Sequence, residues 1–303
     1  DLGAAPAVAN LVESRAPGHR EDIAALLHAV SPAALGGEAP AHVVGVTGPP
    51  GVGKSTLLAE LVRRWRADGR SVAVLAVDPS SKRSGGALLG DRARIAADPA
   101  DREVFIRSMA AAGRLGGLAP ATRAAAHALA AAFDVVVIET VGVGQSETEV
   151  AEVADTVAVV MQPGGGDVLQ FLKSGIMEIP DVLVVTKADL GPAALRARRD
   201  LHAALRSLGA GDTPVVAVSS LAPATGFDEL LEALDAHRGQ LDVGARRLAA
   251  RRASALADFV AEHGDRGLRA LGGRRAAGKL LADQDAALDV PALTRALEQA
   301  VAA

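Results

Sequence analysis

Short apolar runs recur through the first two-thirds of the chain, at His42–Thr47, Val72–Val77, Asp134–Thr140, Thr156–Met161, Asp181–Thr186 and Pro214–Val218. Runs of this length, bounded by turn residues, read as buried β-strands. Phe105 and Ile106 mark one more short strand. Windows of helical character lie between them, at Thr56–Arg66, Ala119–Ala132, Ala193–Leu208 and Asp228–Ala236. Strand, helix and strand in succession from His42 to Val77 make a βαβ unit, and the strands joined by such a crossover are parallel. The pattern predicts an α/β fold, a mostly parallel sheet flanked by helices. Ala9–Val12 and Asp22–Val30 precede it, the second with Ile23, Leu26, Leu27 and Val30 at three-to-four spacing, before Ser31-Pro32 and Gly36-Gly37 break the chain. No strand is expected after Gly239. A long helix over Ala245–His263 carries Leu248, Leu256, Phe259 and Val260 on one side, and Gly264 and Gly267 interrupt it. Leu280, Leu281, Leu293, Leu297 and Val301 suggest two further helices. The expected organisation is an N-terminal helical arm at 1–40, the α/β domain at 41–238 and a C-terminal helical extension at 239–303. That extension is too small and alanine-rich to build a core alone. It reads as packing on a partner subunit, with packing on its own α/β domain as the alternative, and its arginine pairs at 246–247, 251–252 and 274–275 read as solvated faces.

The turn after the first strand carries the most specific chemistry. Gly48-Pro49-Pro50-Gly51-Val52-Gly53-Lys54-Ser55-Thr56 reads G-x-x-x-x-G-K-S between a strand and a helix, the context in which this pattern becomes a phosphate-binding P-loop. Glycines let backbone N–H groups wrap a polyphosphate, and the helix that follows points its positive end at it. Lys54 is expected to reach the β- and γ-phosphates and the Ser55 hydroxyl to ligate Mg²⁺. Other strand ends carry chemistry too, because ligands of parallel sheets bind at their carboxyl edge. Asp78 ends the second strand. Glu139 ends an apolar run of the Walker-B type, and Glu139 to Gly142 matches a D-x-x-G switch with Glu for Asp. The loops at 82–91 and from Gln162 to Asp167 are glycine-rich. Asp189, in Thr186-Lys187-Ala188-Asp189, can accept from guanine N1–H and N2–H₂, which adenine lacks, while Lys187 lies along the base plane. A backbone N–H in Ser219-Ser220-Leu221 is placed to meet guanine O6.

Composition narrows the classes. With five Phe, one Trp and no Tyr in 303 residues, the chain has little aromatic surface for stacking single-stranded nucleic acid. A net charge of −4 gives no general pull toward nucleic acid or anionic membrane. The absence of cysteine excludes disulfides and thiolate chemistry and suits a reducing cytoplasm. No apolar run reaches the length of a membrane span and no signal peptide is evident, although a chain opening on Asp1 reads as truncated or processed.

Taken together, GPPGVGKST (48–56), DPSSKRSGGALLGDRARI (78–95), ETVGVGQSE (139–147) and QPGGGDVLQFLKSGIMEIPD (162–181) resemble the MeaB/ArgK family of GTPases, which accompany adenosylcobalamin-dependent methylmalonyl-CoA mutase. The resemblance implies a P-loop NTPase fold and a homodimer built through the C-terminal helices. It implies that Asp78, Asp91 and Glu139 surround Mg²⁺ with Ser55. It makes 82–91 and 142–148 two switches and Gln162 to Lys173 a third, through which the mutase is sensed. It also implies a chaperone role, gating cobalamin loading and protecting the mutase. The chain departs from the family in having Thr186 where the guanine motif N-K-x-D has Asn, which bears on the bracing of the P-loop and on the strength of the guanine preference. Two rivals share the fold. One is a GTPase metallochaperone, which needs His or Cys ligands that this cysteine-free chain, with its seven scattered histidines, does not space for a metal. The other is a small-molecule kinase or ATPase, in which Asp189 would be incidental.

Overall fold

The structure is a computed structural model describing residues 1–14, 16, 18–78, 95, 98, 100–111, 118–140, 149–164 and 180–302, with only the backbone described at Asp78. Three helices open the chain, α1 (Ala5–Glu13), α2 (His19–Ala29) and the short α3 (Pro32–Leu35). The α/β region follows as β1 (His42–Thr47), α4 (Lys54–Ala67), β2 (Val72–Asp78), β3 (Val104–Ala110), α5 (Pro120–Ala130), β4 (Val135–Glu139), β5 (Thr156–Met161), β6 (Val182–Val185), α6 (Pro192–Ser207), β7 (Val215–Ala217) and α7 (Phe227–Gln240). Three more helices, α8 (Val243–Ala270), α9 (Arg274–Ala282) and α10 (Val290–Ala302), complete it.

The seven described strands form one parallel sheet in the order β3-β2-β4-β1-β5-β6-β7. Both faces are covered, so the strands are apolar at consecutive positions. Val43, Leu75, Val136, Ile138, Val157 and Leu183 point to a core shared with α1, α5 and α6. Val44, Val74, Val137, Val160 and Val184 point to a second core under Leu57, Leu61 and Trp65 of α4 and Phe227, Leu230 and Leu234 of α7. This double burial is why continuous Val/Ile runs, and not alternating ones, marked these strands. β3 runs further than Phe105 and Ile106 suggested: it lies at the edge with one neighbour, and Val104 to Ser108 are only half-buried, so its apolar signal in the sequence is weak.

The first forty residues do not stand off as an arm. Ala5, Ala9 and Val12 of α1 are buried, and Arg107 of β3 pairs with Glu13. Ser31-Pro32 does not simply break the chain: the Ser31 hydroxyl caps α3 by accepting from the Ala34 N–H at 3.2 Å, and Pro32 occupies the first helical position.

Two expectations for the C-terminal helices are corrected. They do build a core: Ala255 and Phe259 of α8, Ala277 and Leu281 of α9, and Val290, Leu293 and Leu297 of α10 are buried together within one chain. Phe259 is the centre of that core, and Gly267 packs beside its ring rather than interrupting the helix, since a Cβ there would lie 2.5 Å from His263 Cβ. Gly264, at φ 59°, is where the helix kinks.

Nor are all the arginines solvated. Arg247 and Arg251 are each only 6% exposed. Arg247 grips Asp155 through two nitrogens at 2.9 and 2.7 Å and donates to the Ala39 and Ala41 carbonyls at 2.5 and 2.6 Å. Asp155 also accepts from the Val43 N–H at 2.9 Å, so one buried pair joins α8, the start of β1 and the start of β5. Burial opposes charge on Asp155, but the Arg247 guanidinium, with the Val43 N–H and Arg238, outweighs it and holds the carboxyl below its usual range. Arg251 makes a second bidentate pair with Glu38, at 3.0 and 3.0 Å. A sequence offers an arginine no marker for burial. Only the tertiary position of Asp155 and Glu38 makes these buried charges tolerable. The remaining pair, Arg274 and Arg275, is exposed as expected.

Truncating the ring at the centre of the C-terminal core is expected to be expensive. Phe259→Ala should cost about 3–5 kcal/mol in urea unfolding of that region, and a loss below about 1 kcal/mol would mean that the helices take their stability from elsewhere.

Candidate functional site

The C-terminal ends of β1, β4, β5 and β6 bring the candidate residues to one edge of the sheet. At the end of β1 the chain turns through Gly48 at φ 142°, where a Cβ would sit 2.1 Å from the Val160 carbonyl oxygen, so only glycine passes. Gly51 and Gly53, at φ 78° and 97°, complete a loop closed to other residue types by dihedral strain. α4 begins directly after it at Lys54. The opening N–H groups of a helix have no partner inside it, so Lys54, Ser55 and Thr56 start a natural anion cradle. Val52 is buried, Pro49 half-buried, and Pro50, Gly51 and Thr56 are exposed. The Lys54 ammonium, buried to 8% exposure, donates to the Gly48 and Pro49 carbonyls at 2.6 and 3.0 Å, which folds it back across the loop it serves.

Ser55 and Glu139 come together although 84 residues separate them. The Ser55 hydroxyl donates to Glu139 Oε1 at 3.0 Å. Register places Glu139 opposite Val46 of β1 and Ala76 of β2, and the Thr140 hydroxyl donates to Thr47 Oγ1 at 2.8 Å to pin the two strand ends together. A hydroxyl and a carboxylate at the mouth of a phosphate cradle are hard oxygen donors of the kind Mg²⁺ takes. Asp78 ends β2, the strand beside β4, and its backbone is paired in register with Ala110. The Asp78 side chain, Asp91, Gly142 and the segments expected as switches at 82–91 and 142–148 lie outside the described residues, as does the Gln162 to Lys173 stretch beyond Gly164.

The base side of the site is braced to the phosphate side by Thr186. Its hydroxyl donates to the Val52 carbonyl at 2.7 Å, with the Met161 carbonyl 3.0 Å away, and its N–H donates to Met161 at 2.8 Å. The threonine that departs from the usual motif therefore still ties this loop to the P-loop. Lys187 has a left-handed backbone at φ 55°, held by the Ala188 N–H to the Val218 carbonyl at 3.0 Å. Asp189 accepts from the Ser219 hydroxyl at 2.8 Å, which fixes one carboxylate oxygen and leaves the other to a ligand. The Ser219 N–H is already used by the Thr225 carbonyl at 3.0 Å, and the Leu221 N–H meets Ser219 Oγ at 3.3 Å. Of the three residues expected to offer an N–H to the base, Ser220 is therefore the best placed.

Two features were not legible beforehand. Gln162, expected as the start of a glycine-rich loop and of the third switch, accepts through Oε1 from the Lys187 ammonium. His263, expected to stand alone, lies with Glu262 and Glu298 in a group whose ligand atoms are within 4.8 Å of one another. That group sits on the exposed surface of α8 and α10, away from the strand ends, and Arg20 already pairs with Glu262.

A parallel sheet with a glycine loop leading into a helix, and a lysine, a serine and a strand-end acid around it, defines a P-loop nucleoside triphosphatase. Comparison with known proteins narrows the class. A sequence model of the family described as "Methylmalonyl Co-A mutase-associated GTPase MeaB" matches residues 5–266. The chain belongs to this family and is a GTPase. A probable GTPase of Mycobacterium tuberculosis is 42% identical over 266 residues, 86% of this chain and 78% of that one. A putative GTPase of Pyrococcus horikoshii is 55% identical over 150 residues, 49% of this chain, so the chain aligns with only 47% of that relative's length. The crystal structure of a LAO/AO transport system kinase is similar with 28% identity and a TM-score of 0.65, over 100% of this chain and 94% of that one. No described helix here is long and apolar enough to cross a membrane.

Thr186→Val keeps the shape and removes the donor to Val52. GDP should then bind about 3- to 10-fold more weakly, the net worth of one hydrogen bond. Unchanged affinity in equilibrium titration would show that the loop holds its form without this brace.

Proposed function

We propose that the chain hydrolyses GTP to GDP and phosphate, and that it uses this cycle as a chaperone of methylmalonyl-CoA mutase, gating adenosylcobalamin loading and protecting the mutase. The observation that carries the nucleotide part is the tie from the phosphate cradle to the base loop, Val52 to Thr186, with Asp189 further along the same loop fixed by Ser219. The mutase part is supported by the family's description.

In this reading the nucleotide-binding set is Gly48, Pro49, Pro50, Gly51, Val52, Gly53, Lys54, Ser55, Thr56, Gly142, Thr186, Lys187, Asp189, Ser219, Ser220 and Leu221. Lys54 leaves the Gly48 and Pro49 carbonyls and turns to the β–γ bridge and γ-phosphate oxygens, where its charge stabilises the transferring group. The loop N–H groups share that work. The free Asp189 oxygen accepts from the guanine ring, with the fixed one completing the pair. Ser55, Glu139, Asp78 and Asp91 would hold Mg²⁺, which when bound neutralises charge on the phosphate oxygens. Water attacks the γ-phosphorus as its bond to the β–γ bridging oxygen breaks; that oxygen stays on the β-phosphate of GDP, the water oxygen becomes part of inorganic phosphate, and the water's proton passes to a phosphate oxygen or solvent. In this reading intrinsic turnover is slow and is completed by a partner. A homodimer through the C-terminal helices and a cytoplasmic location belong to the same proposal.

Single-turnover GTP hydrolysis with and without methylmalonyl-CoA mutase tests it. The rate should rise about tenfold or more with the mutase, ~1.4 kcal/mol off the barrier. An equal rate at saturating mutase would remove the partner from the mechanism.

A further inference from the structure

We infer that Gln162 is a positioning residue for nucleotide binding, anchoring the Lys187 ammonium so that the lysine stem is already laid out where a purine face will rest. The inference rests on the reading that a guanine nucleotide occupies this edge.

The placement follows from the sheet. β5 and β6 pair in register with Met161 opposite Val185, so the residues one step beyond each strand, Gln162 and Thr186, leave the sheet side by side. Thr186 is locked to Met161 by its N–H at 2.8 Å. Lys187 is locked next, by its left-handed backbone and the Ala188 to Val218 bond at 3.0 Å. The backbone thus aims the lysine, but a four-carbon stem retains its rotamers. The amide oxygen of Gln162 takes up the far end, accepting from Nζ. Gln162 is half-buried while Lys187 is exposed, so the anchor is the more fixed of the two.

What the anchor needs is an acceptor, which the amide oxygen supplies to the ammonium. A lysine so held loses less conformational freedom when a base arrives, and immobilising one flexible side chain in advance is worth roughly 3- to 10-fold in affinity. Gln162 touches no ligand in this scheme. It acts through Lys187, and a double-mutant cycle separates that from a merely structural role.

The test is equilibrium titration of GDP and ADP, in the full chain, against wild type, Gln162→Met, Gln162→Glu, Lys187→Met and the Gln162→Met/Lys187→Met pair. Gln162→Met keeps the volume and removes the acceptor, and should weaken GDP about 3- to 10-fold. Gln162→Glu restores an acceptor and should return affinity to within about twofold of wild type. In the Lys187→Met background, Gln162→Met should change nothing further. The inference is overturned if Gln162→Met binds like wild type, if Gln162→Glu binds as poorly as Gln162→Met, or if the loss persists without the lysine. Equal binding of ADP and GDP by wild type would instead overturn the guanine reading, and the cycle would still report on the anchor with either nucleotide. Binding of neither nucleotide by wild type overturns both.

Discussion

The hydrogen bond from the Thr186 hydroxyl to the Val52 carbonyl, at 2.7 Å, joins two halves of a site that come from opposite ends of the α/β region. On one side stands the loop that cradles phosphate, held in shape by Gly48 pressed against the Val160 carbonyl. On the other stands the loop proposed to read the base through Asp189 and Lys187. The loops leave β1 and β6, the two strands that flank β5, and the Thr186 bond crosses between them. The distance between phosphate and base recognition is therefore set before a nucleotide arrives, which is the preorganisation that lets binding energy appear as affinity.

A second constraint acts from behind the sheet. Asp155 has no exposed surface and would be intolerable alone, yet Arg247 and the Val43 N–H satisfy both its oxygens. This fastens the C-terminal helices to the first residues of β1, the strand that ends in the P-loop. The pair adds little net stability over an apolar filling of the same space. Its effect is on geometry, because neither α8 nor β1 can slide without leaving a buried charge unpaired. The C-terminal region is thus both a core of its own around Phe259 and a module keyed to the strand that carries the site.

The α/β architecture was legible because doubly buried parallel strands leave continuous apolar runs, and His42–Thr47 and Thr156–Met161 end where those runs do. The P-loop was legible because its function demands glycine at positions a side chain cannot occupy. The meeting of Ser55 with Glu139 could be anticipated from the two motifs. What could not be read is of a different kind. Arg247 and Arg251 look like surface residues until their carboxylate partners are placed. The role of Thr186 looked lost with the asparagine, because motif reading tracks residue type, whereas a hydroxyl reaches the same carbonyl. Gln162 opens the 162–181 stretch that carries part of the resemblance, but that pattern names no partner for it, and only the register of β5 with β6 reveals its neighbour.

The central claim is that a guanine nucleotide is chosen here through the carboxylate of Asp189. Equilibrium binding of GDP, xanthosine diphosphate and ADP to wild type and to Asp189→Asn addresses it directly. Guanine offers two donors to the carboxylate, whereas xanthine places an oxygen where guanine has its amino group and needs a donor opposite it, which the asparagine amide supplies. The account predicts that wild type prefers GDP to ADP, and that Asp189→Asn loses about 10- to 100-fold in GDP affinity while gaining xanthosine diphosphate. Equal affinity of the wild type for ADP and GDP, or an Asp189→Asn variant that still binds GDP like wild type, would contradict it.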